Sequence, residues 1–137
     1  MSQENVDVVL KAHAAFSRGD LDGVLAECQP DVTYRAAITQ EIEGDAGDFH
    51  GHDGIRRWWC DMHDLYDGLF TDVVEVCDLG ERVVVVYVVQ GRATGSGLVF
   101  EDGQTLAQLV TLRDGKITEI RDYSGRSEAL EAVGLRE

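Results

Sequence analysis

Four β-forming runs separated by very short turns fix most of what this chain can become. They cover about Phe70 to Leu79, Arg82 to Ala93, Leu98 to Leu112 and Lys116 to Tyr123, with Gly80-Glu81, Gly95-Ser96-Gly97 and Arg113-Asp114-Gly115 between them. Connections that short join antiparallel neighbours, because a parallel pair needs a long crossover. The second half of the chain therefore reads as an antiparallel meander. Within it, Val83 to Val89 is apolar on both faces, so the sheet needs two covers, helices on one side and a loop or a second subunit on the other. A homodimer formed through the sheet is the expectation that follows.

The first half is helical. Val6, Val9, Leu10, His13, Ala14 and Phe16 share one face of a helix from about Gln3 to Ser17, which ends before Gly19. Asp20 caps a short second helix whose inward residues are Leu21, Val24, Leu25 and Cys28, stopped by Pro30. Asp31 to Ala36 alternates as a strand, with Val32, Tyr34 and Ala36 on one face. Ala37 to His50 is irregular and acidic, and reads either as a lid or as a solvated excursion. A third helix begins near Gly51 and brings Ile55, Trp58, Trp59, Met62 and Tyr66 to one inward face. Ala129, Leu130 and Val133 mark a short closing helix within Ser124 to Arg136. The order is that of an α+β fold, with helices packed on one face of a strongly curved antiparallel sheet. A sheet curled around a long helix leaves a conical cavity between them.

The 137 residues suit a single domain, 1–137, large enough to bury a core without disulfides or metal. Acidic residues outnumber basic ones 26 to 12, a formal charge of −14, which repels phosphate backbones and anionic lipid. Neither nucleic acid nor membrane is an expected partner. Cys28, Cys60 and Cys77 are odd in number and widely spaced, so no disulfide framework or zinc site is indicated and a reducing cytoplasm fits best. Met1 to Val9 has no signal-peptide pattern, and no apolar run reaches membrane-spanning length.

Phe49-His50-Gly51-His52-Asp53-Gly54-Ile55-Arg56-Arg57-Trp58-Trp59 gathers both tryptophans and two of the four histidines at one helix start. The tryptophans either fill the core or wall a cavity. His50, His52 and Asp53 have ligand chemistry, but His52 and His63 stand about three helical turns apart, some 16 Å, and cannot share one ion. No metal is expected. The chain also lacks a phosphate-binding glycine loop, a dinucleotide fingerprint and a serine-hydrolase elbow.

Three segments carry a resemblance. Gly19-Asp20-Leu21-Asp22 after the first helix, Phe49 to Ile55 before the aromatic helix, and Leu112-Arg113-Asp114-Gly115-Lys116-Ile117 at the last hairpin together resemble the SnoaL-like branch of the nuclear transport factor 2 superfamily. That resemblance implies a cone-shaped curved sheet wrapped around N-terminal helices, with an interior pocket and often a homodimer. It also implies a superfamily of polyketide cyclases, ketosteroid isomerases, dehydratases, epoxide hydrolases and binders without activity. Matching the isomerase apparatus through Gly19 to Asp22 puts Ala36 at its base, Ala12 at its tyrosine donor and Gln108 near its protonated acid. Steroid isomerisation by that route is not expected.

Two functions remain open from the residues. One is binding of a small, largely apolar molecule; the other is a cofactor-independent cyclase, isomerase or hydrolase acting on polyketide-like substrates, which needs one acid/base group and donors around an enolate. Asp122 is the preferred acid/base, with His13, His50 and His63 as alternatives. Tyr34, Phe49, Trp58, Trp59, Met62, Gln108, Val110 and Tyr123 are the expected pocket residues. Asp122 and Tyr123 are adjacent on one strand, so a regular strand lets only one face the interior. Many relatives in that branch carry an aspartate two residues beyond this tyrosine, where the chain has Gly125. No cofactor is expected.

Overall fold

A computed structural model describes residues 2–36, 48–93 and 100–135. Helix α1 (Ser2–Ser17) and helix α2 (Leu21–Ala26) lead into β1 (Cys28–Arg35); β2 (Phe49–His50) then opens directly into α3 (Gly51–Leu65). The remainder is β3 (Tyr66–Asp78), β4 (Arg82–Ala93), β5 (Phe100–Arg113), β6 (Lys116–Tyr123) and α4 (Arg126–Ala132). The strands form one open sheet in the order β2-β1-β6-β5-β4-β3. Helix α1 touches both β3 and β6, which lie three strand spacings apart, roughly 14 Å in a flat sheet. A helix about 10 Å across reaches both only if the sheet curls around it. This is the expected α+β cone, with α1 in its concave face.

The meander from β3 to β6 is antiparallel throughout. The β5–β6 turn uses Asp114 and Gly115, both with positive φ, the hairpin conformation whose twist matches the strands it joins. One pairing was absent from the sequence pattern: β1 runs parallel to β6, with Tyr34 opposite Ile120 and Arg35 opposite Arg121. The chain satisfies the long-crossover requirement by placing every intervening element between them.

The boundaries shift for identifiable reasons. Helix α2 ends at Ala26, not at Pro30, and Cys28 opens β1 instead of facing inward from the helix. Pro30 sits inside β1 where the register with β6 breaks between Cys28 and Thr33, a stretch that needs no ladder donor from it. Tyr66 does not continue the aromatic helix; it begins β3 and is buried there. Of the irregular stretch, positions 37–47, with Ile38 and Ile42, lie outside the described residues, while Phe49 is buried and pairs with Tyr34.

Glycine explains why the segment before α3 reads as it does. A Cβ on Gly54 would stand 2.9 Å from the Phe49 carbonyl carbon, closer than real Cβ contacts come, and backbone cannot swing aside as a side chain can. Phe49 and α3 thus approach each other through the missing side chain.

The core lies between α1, α3 and the concave face, where Val83, Val85, Tyr87 and Val89 of β4 point. Val84 and Val86 point the other way, into a second cluster with Ala107, Ala129 and Leu130. The second cover that the two-sided valine run requires is therefore supplied there by α4. Beyond it, Val74 is 60% exposed at a bulge in β3. Among the described residues no helix is long and apolar enough to cross a membrane.

Candidate functional site

Asp122 is the one charged residue among those described that is fully buried, 6% exposed on β6. Strand alternation turns it into the concave face and sends Tyr123 to the opposite side, into the cluster beneath α4. Tyr123 is thus misplaced as an interior residue, because a regular β6 gives the interior to its neighbour.

Gln108 and Tyr34 both donate to Asp122. Gln108, its direct partner in the β5–β6 register, donates from Nε2 to Oδ1 at 3.0 Å. Tyr34 donates its hydroxyl to Oδ2 at 2.9 Å, brought there by the parallel β1–β6 pair, which sets it beside Ile120 one step short of Asp122 on the same face. His13 extends the chain from α1, with Nε2 3.0 Å from Gln108 Oε1 and Nδ1 2.9 Å from Thr71 Oγ1. Ser17 fixes that end: its Oγ accepts from the Thr71 backbone N–H at 2.9 Å and donates to the Thr71 carbonyl at 3.2 Å. Buried polar groups that satisfy one another in this way specify one arrangement.

Electrostatics sort the roles. Burial, and next the charge of Asp122, push the Tyr34 and Tyr87 phenols well above their ordinary range, so both remain neutral donors. Tyr87 is coupled to Asp122 and Gln108 and packs its ring 5.0 Å from that of His13. Burial lowers the His13 pKa from its ordinary 6.5, partly offset by its bond to Gln108, so His13 is neutral at pH 7. Cys28 is no nucleophile, since burial raises its thiol to about 12.

A pH dependence follows from His13. Its folded pKa lies below the unfolded one, so the unfolded chain binds the extra proton first as pH falls; the associated stability is complete above about 6.5 and shrinks below it. Urea denaturation of His13→Gln at pH 7.5 and pH 5 should show a smaller loss on acidification than the parent chain. An equal loss in the two proteins would assign the acid sensitivity to other groups.

An aromatic wall adjoins the polar chain through Tyr34, whose ring meets Trp58 edge-on at 4.9 Å. Trp58 stacks on Phe16 at 5.7 Å, Phe16 meets Trp59 edge-on, and Trp59 stacks on His63 at 4.5 Å. Both tryptophans and Met62 are half-buried, while Ile55 is the buried anchor of α3. Val110 lies on the inward side of β5 two residues beyond Gln108, and Phe49 is buried beneath the Arg57 guanidinium at 4.8 Å.

The structure brings Asp122, Gln108, Tyr34 and His13 together. It does not join His63 to them: His63 Nδ1 donates to the Trp59 carbonyl at 2.9 Å, within its own helix. His50 is exposed, His52 donates to the Cys28 carbonyl at 3.1 Å, and Asp53 pairs with Arg56 on the surface. Ala12 and Ala36 pack in the apolar core. Sequence reasoning missed Thr71 and Tyr87. Alternation along Val83 to Val89 was the available signal for Tyr87, since it shares a face with Val83, Val85 and Val89.

Comparison with known proteins agrees with this architecture. A family model described as SnoaL-like domain matches residues 9–120. The uncharacterized protein Rv0034 of Mycobacterium tuberculosis is 31% identical over 131 residues, covering 93% of this chain and 94% of its own length. Among solved structures, TerC co-crystallized with polyporic acid superimposes with a TM-score of 0.73 at 25% identity, over 94% of this chain and 96% of that one. An NTF2-like protein of unknown function from Burkholderia pseudomallei reaches 0.76 at 23% identity, over 93% and 95% of the two chains, a likeness of fold. With about four fifths of its length under that family model, the chain belongs to the SnoaL-like family, and its cone of strands is the NTF2-like fold.

Proposed function

We propose that this chain binds a small, largely apolar molecule between the aromatic wall and the Asp122 group. Tyr34 carries the reading: its ring packs on half-buried Trp58 and its hydroxyl reaches Asp122, so apolar surface and polar anchor are continuous. That is the composition of a small-molecule site, mostly apolar with a few placed polar groups. The co-crystal of TerC with polyporic acid supports a ligand of this kind in a related fold. Free Cys28, Cys60 and Cys77 fit a reducing, cytoplasmic setting.

A second reading is favoured by the buried carboxylate beside two neutral phenols. The site then performs cofactor-independent proton transfer on a polyketide-like carbonyl compound, in cyclisation, isomerisation or hydrolysis. In cyclisation or isomerisation Asp122 takes the α-proton, the C–H electron pair moves onto the carbonyl oxygen as an enolate, a phenol donates to that oxygen, and Asp122 later returns the proton; in hydrolysis Asp122 takes instead a proton of the attacking water and passes it to the leaving group.

A thermal-shift screen of polyketide-like, steroid and terpenoid compounds tests both. Binding at a hundredfold excess over Kd adds about 2.7 kcal/mol, a clear rise in melting temperature. Deuterium exchange at the α-carbon of each hit in D2O then separates catalysis from binding. A saturating screen without any shift would sink both readings.

A homodimer through the sheet would draw on what α4 leaves open, exposed Val74 and half-buried Val88. Sedimentation at micromolar concentration should give twice the chain mass; a clean monomer rejects the dimer.

A further inference from the structure

We infer that His13 is a positioning residue that acts on Asp122 through Gln108: its imidazole N–H holds the Gln108 carbonyl and so keeps the amide N–H on Oδ1. The inference rests on the proton-transfer reading above.

The direction of the chain follows from what each atom can do. A carboxylate only accepts, so the Gln108 atom facing Oδ1 at 3.0 Å is the amide nitrogen. The Gln108 carbonyl oxygen then faces His13 Nε2 at 3.0 Å and also only accepts, so Nε2 carries the hydrogen. A neutral imidazole has one N–H. Nδ1 is therefore bare, and the Thr71 hydroxyl donates to it at 2.9 Å. Burial keeps His13 in this neutral form.

The terminal torsion of glutamine is broad and nearly two-fold, and the Asp122 carboxylate constrains the Gln108 amide from one end only. A reversed amide would set carbonyl oxygen against carboxylate at one end and N–H against N–H at the other. His13 closes the second option. It can do so because its own place is fixed from three strands: Thr71 on β3, the Tyr87 ring on β4 and Gln108 on β5, none of them charged. Ser17, on the same helix, binds both backbone groups of Thr71.

Asp122 Oδ1 thus keeps an amide donor that has nothing to accept with, while the phenols of Tyr34 and Tyr87, which also bond the carboxylate, can turn from donor to acceptor when it takes up a proton.

The tautomer of His13 is the direct readout, measured on the ligand-free chain at neutral pH by long-range ¹H–¹⁵N correlation of ¹⁵N-histidine protein. His13→Gln identifies the resonance. The expected result is a protonated Nε2 and a bare Nδ1. Gln108→Met removes the acceptor at Nε2 while keeping bulk, and should give a tautomer mixture; Thr71→Val should leave the Nε2–H form intact. A predominant Nδ1–H form in the parent chain overturns the inference, as does a preference that survives Gln108→Met and is lost in Thr71→Val. On a hit that exchanges its α-proton, Gln108→Met should lower kcat about tenfold with KM within about threefold. A loss confined to KM overturns the positioning role. Because the tautomer needs no ligand, absence of exchange would defeat the proton-transfer reading while leaving the Gln108 orientation measurable by itself.

Discussion

Asp122→Ala should destabilise the chain by ~3 kcal/mol and abolish recognition of any ligand whose polar end meets this carboxylate. The substitution strands at least two donors. The Tyr34 hydroxyl and the Gln108 amide both end on Asp122, and each buried donor left without an acceptor costs about 1–3 kcal/mol unless water enters the space. Additivity distinguishes this from simple loss of bulk. Tyr34→Phe removes one stranded donor in advance, so the double variant should be more stable than the sum of the single losses allows, by at least ~1 kcal/mol. Urea denaturation of the four proteins gives the coupling directly. Strict additivity would mean that Tyr34 and Asp122 act independently and that their 2.9 Å bond contributes nothing net.

Much of the fold was legible because the second half of the chain is built from local pairings. Turn residues at Gly80-Glu81 and Asp114-Gly115 and alternation along Lys116 to Tyr123 suffice to order β3 to β6. The parallel β1–β6 pair was not legible, since nothing local marks a contact between Tyr34 and Ile120. The starts of β1 and β3 were misread for a related reason. Cys28 and Tyr66 are apolar residues that suit the end of a helical face as well as the first position of a buried strand, and tertiary packing decided between them.

The candidate site divides along the same line. Asp122, Gln108, Tyr34 and His13 stood out as polar residues at inward positions, each identifiable from its own element. Their mutual bonding was hidden, because it needs α1, β1, β5 and β6 at once. Thr71 was invisible: a threonine in a strand is ordinary, and only the approach of α1 makes its hydroxyl a partner for His13. The histidines before and within α3 misled in the opposite sense. Their closeness in sequence suggested joint chemistry, yet His50 is exposed, His52 binds the β1 backbone and His63 binds its own helix.

The double role available to the aromatic helix makes the sharpest contrast between two substitutions. Ile55 is 1% exposed and is the buried residue of α3, so Ile55→Ala removes enclosed methyl groups and leaves a cavity, a loss of ~3 kcal/mol within the range for such changes. For a domain of this size the melting temperature should fall on the order of 10 °C. Trp58 is larger but half-buried, with one edge against Tyr34 and a face against Phe16. If that ring walls a ligand site, Trp58→Ala should weaken ligand-induced thermal shifts at least about tenfold in apparent Kd, or ~1.4 kcal/mol. Conservative Trp58→Phe should restore most of the binding, because it returns an aromatic face. Ile55→Ala should leave the affinity of the folded protein nearly unchanged. The outcome that removes the wall from the proposal is Trp58→Ala destabilising as much as Ile55→Ala while every hit binds as before, for then the tryptophan is core and the ligand is held without it.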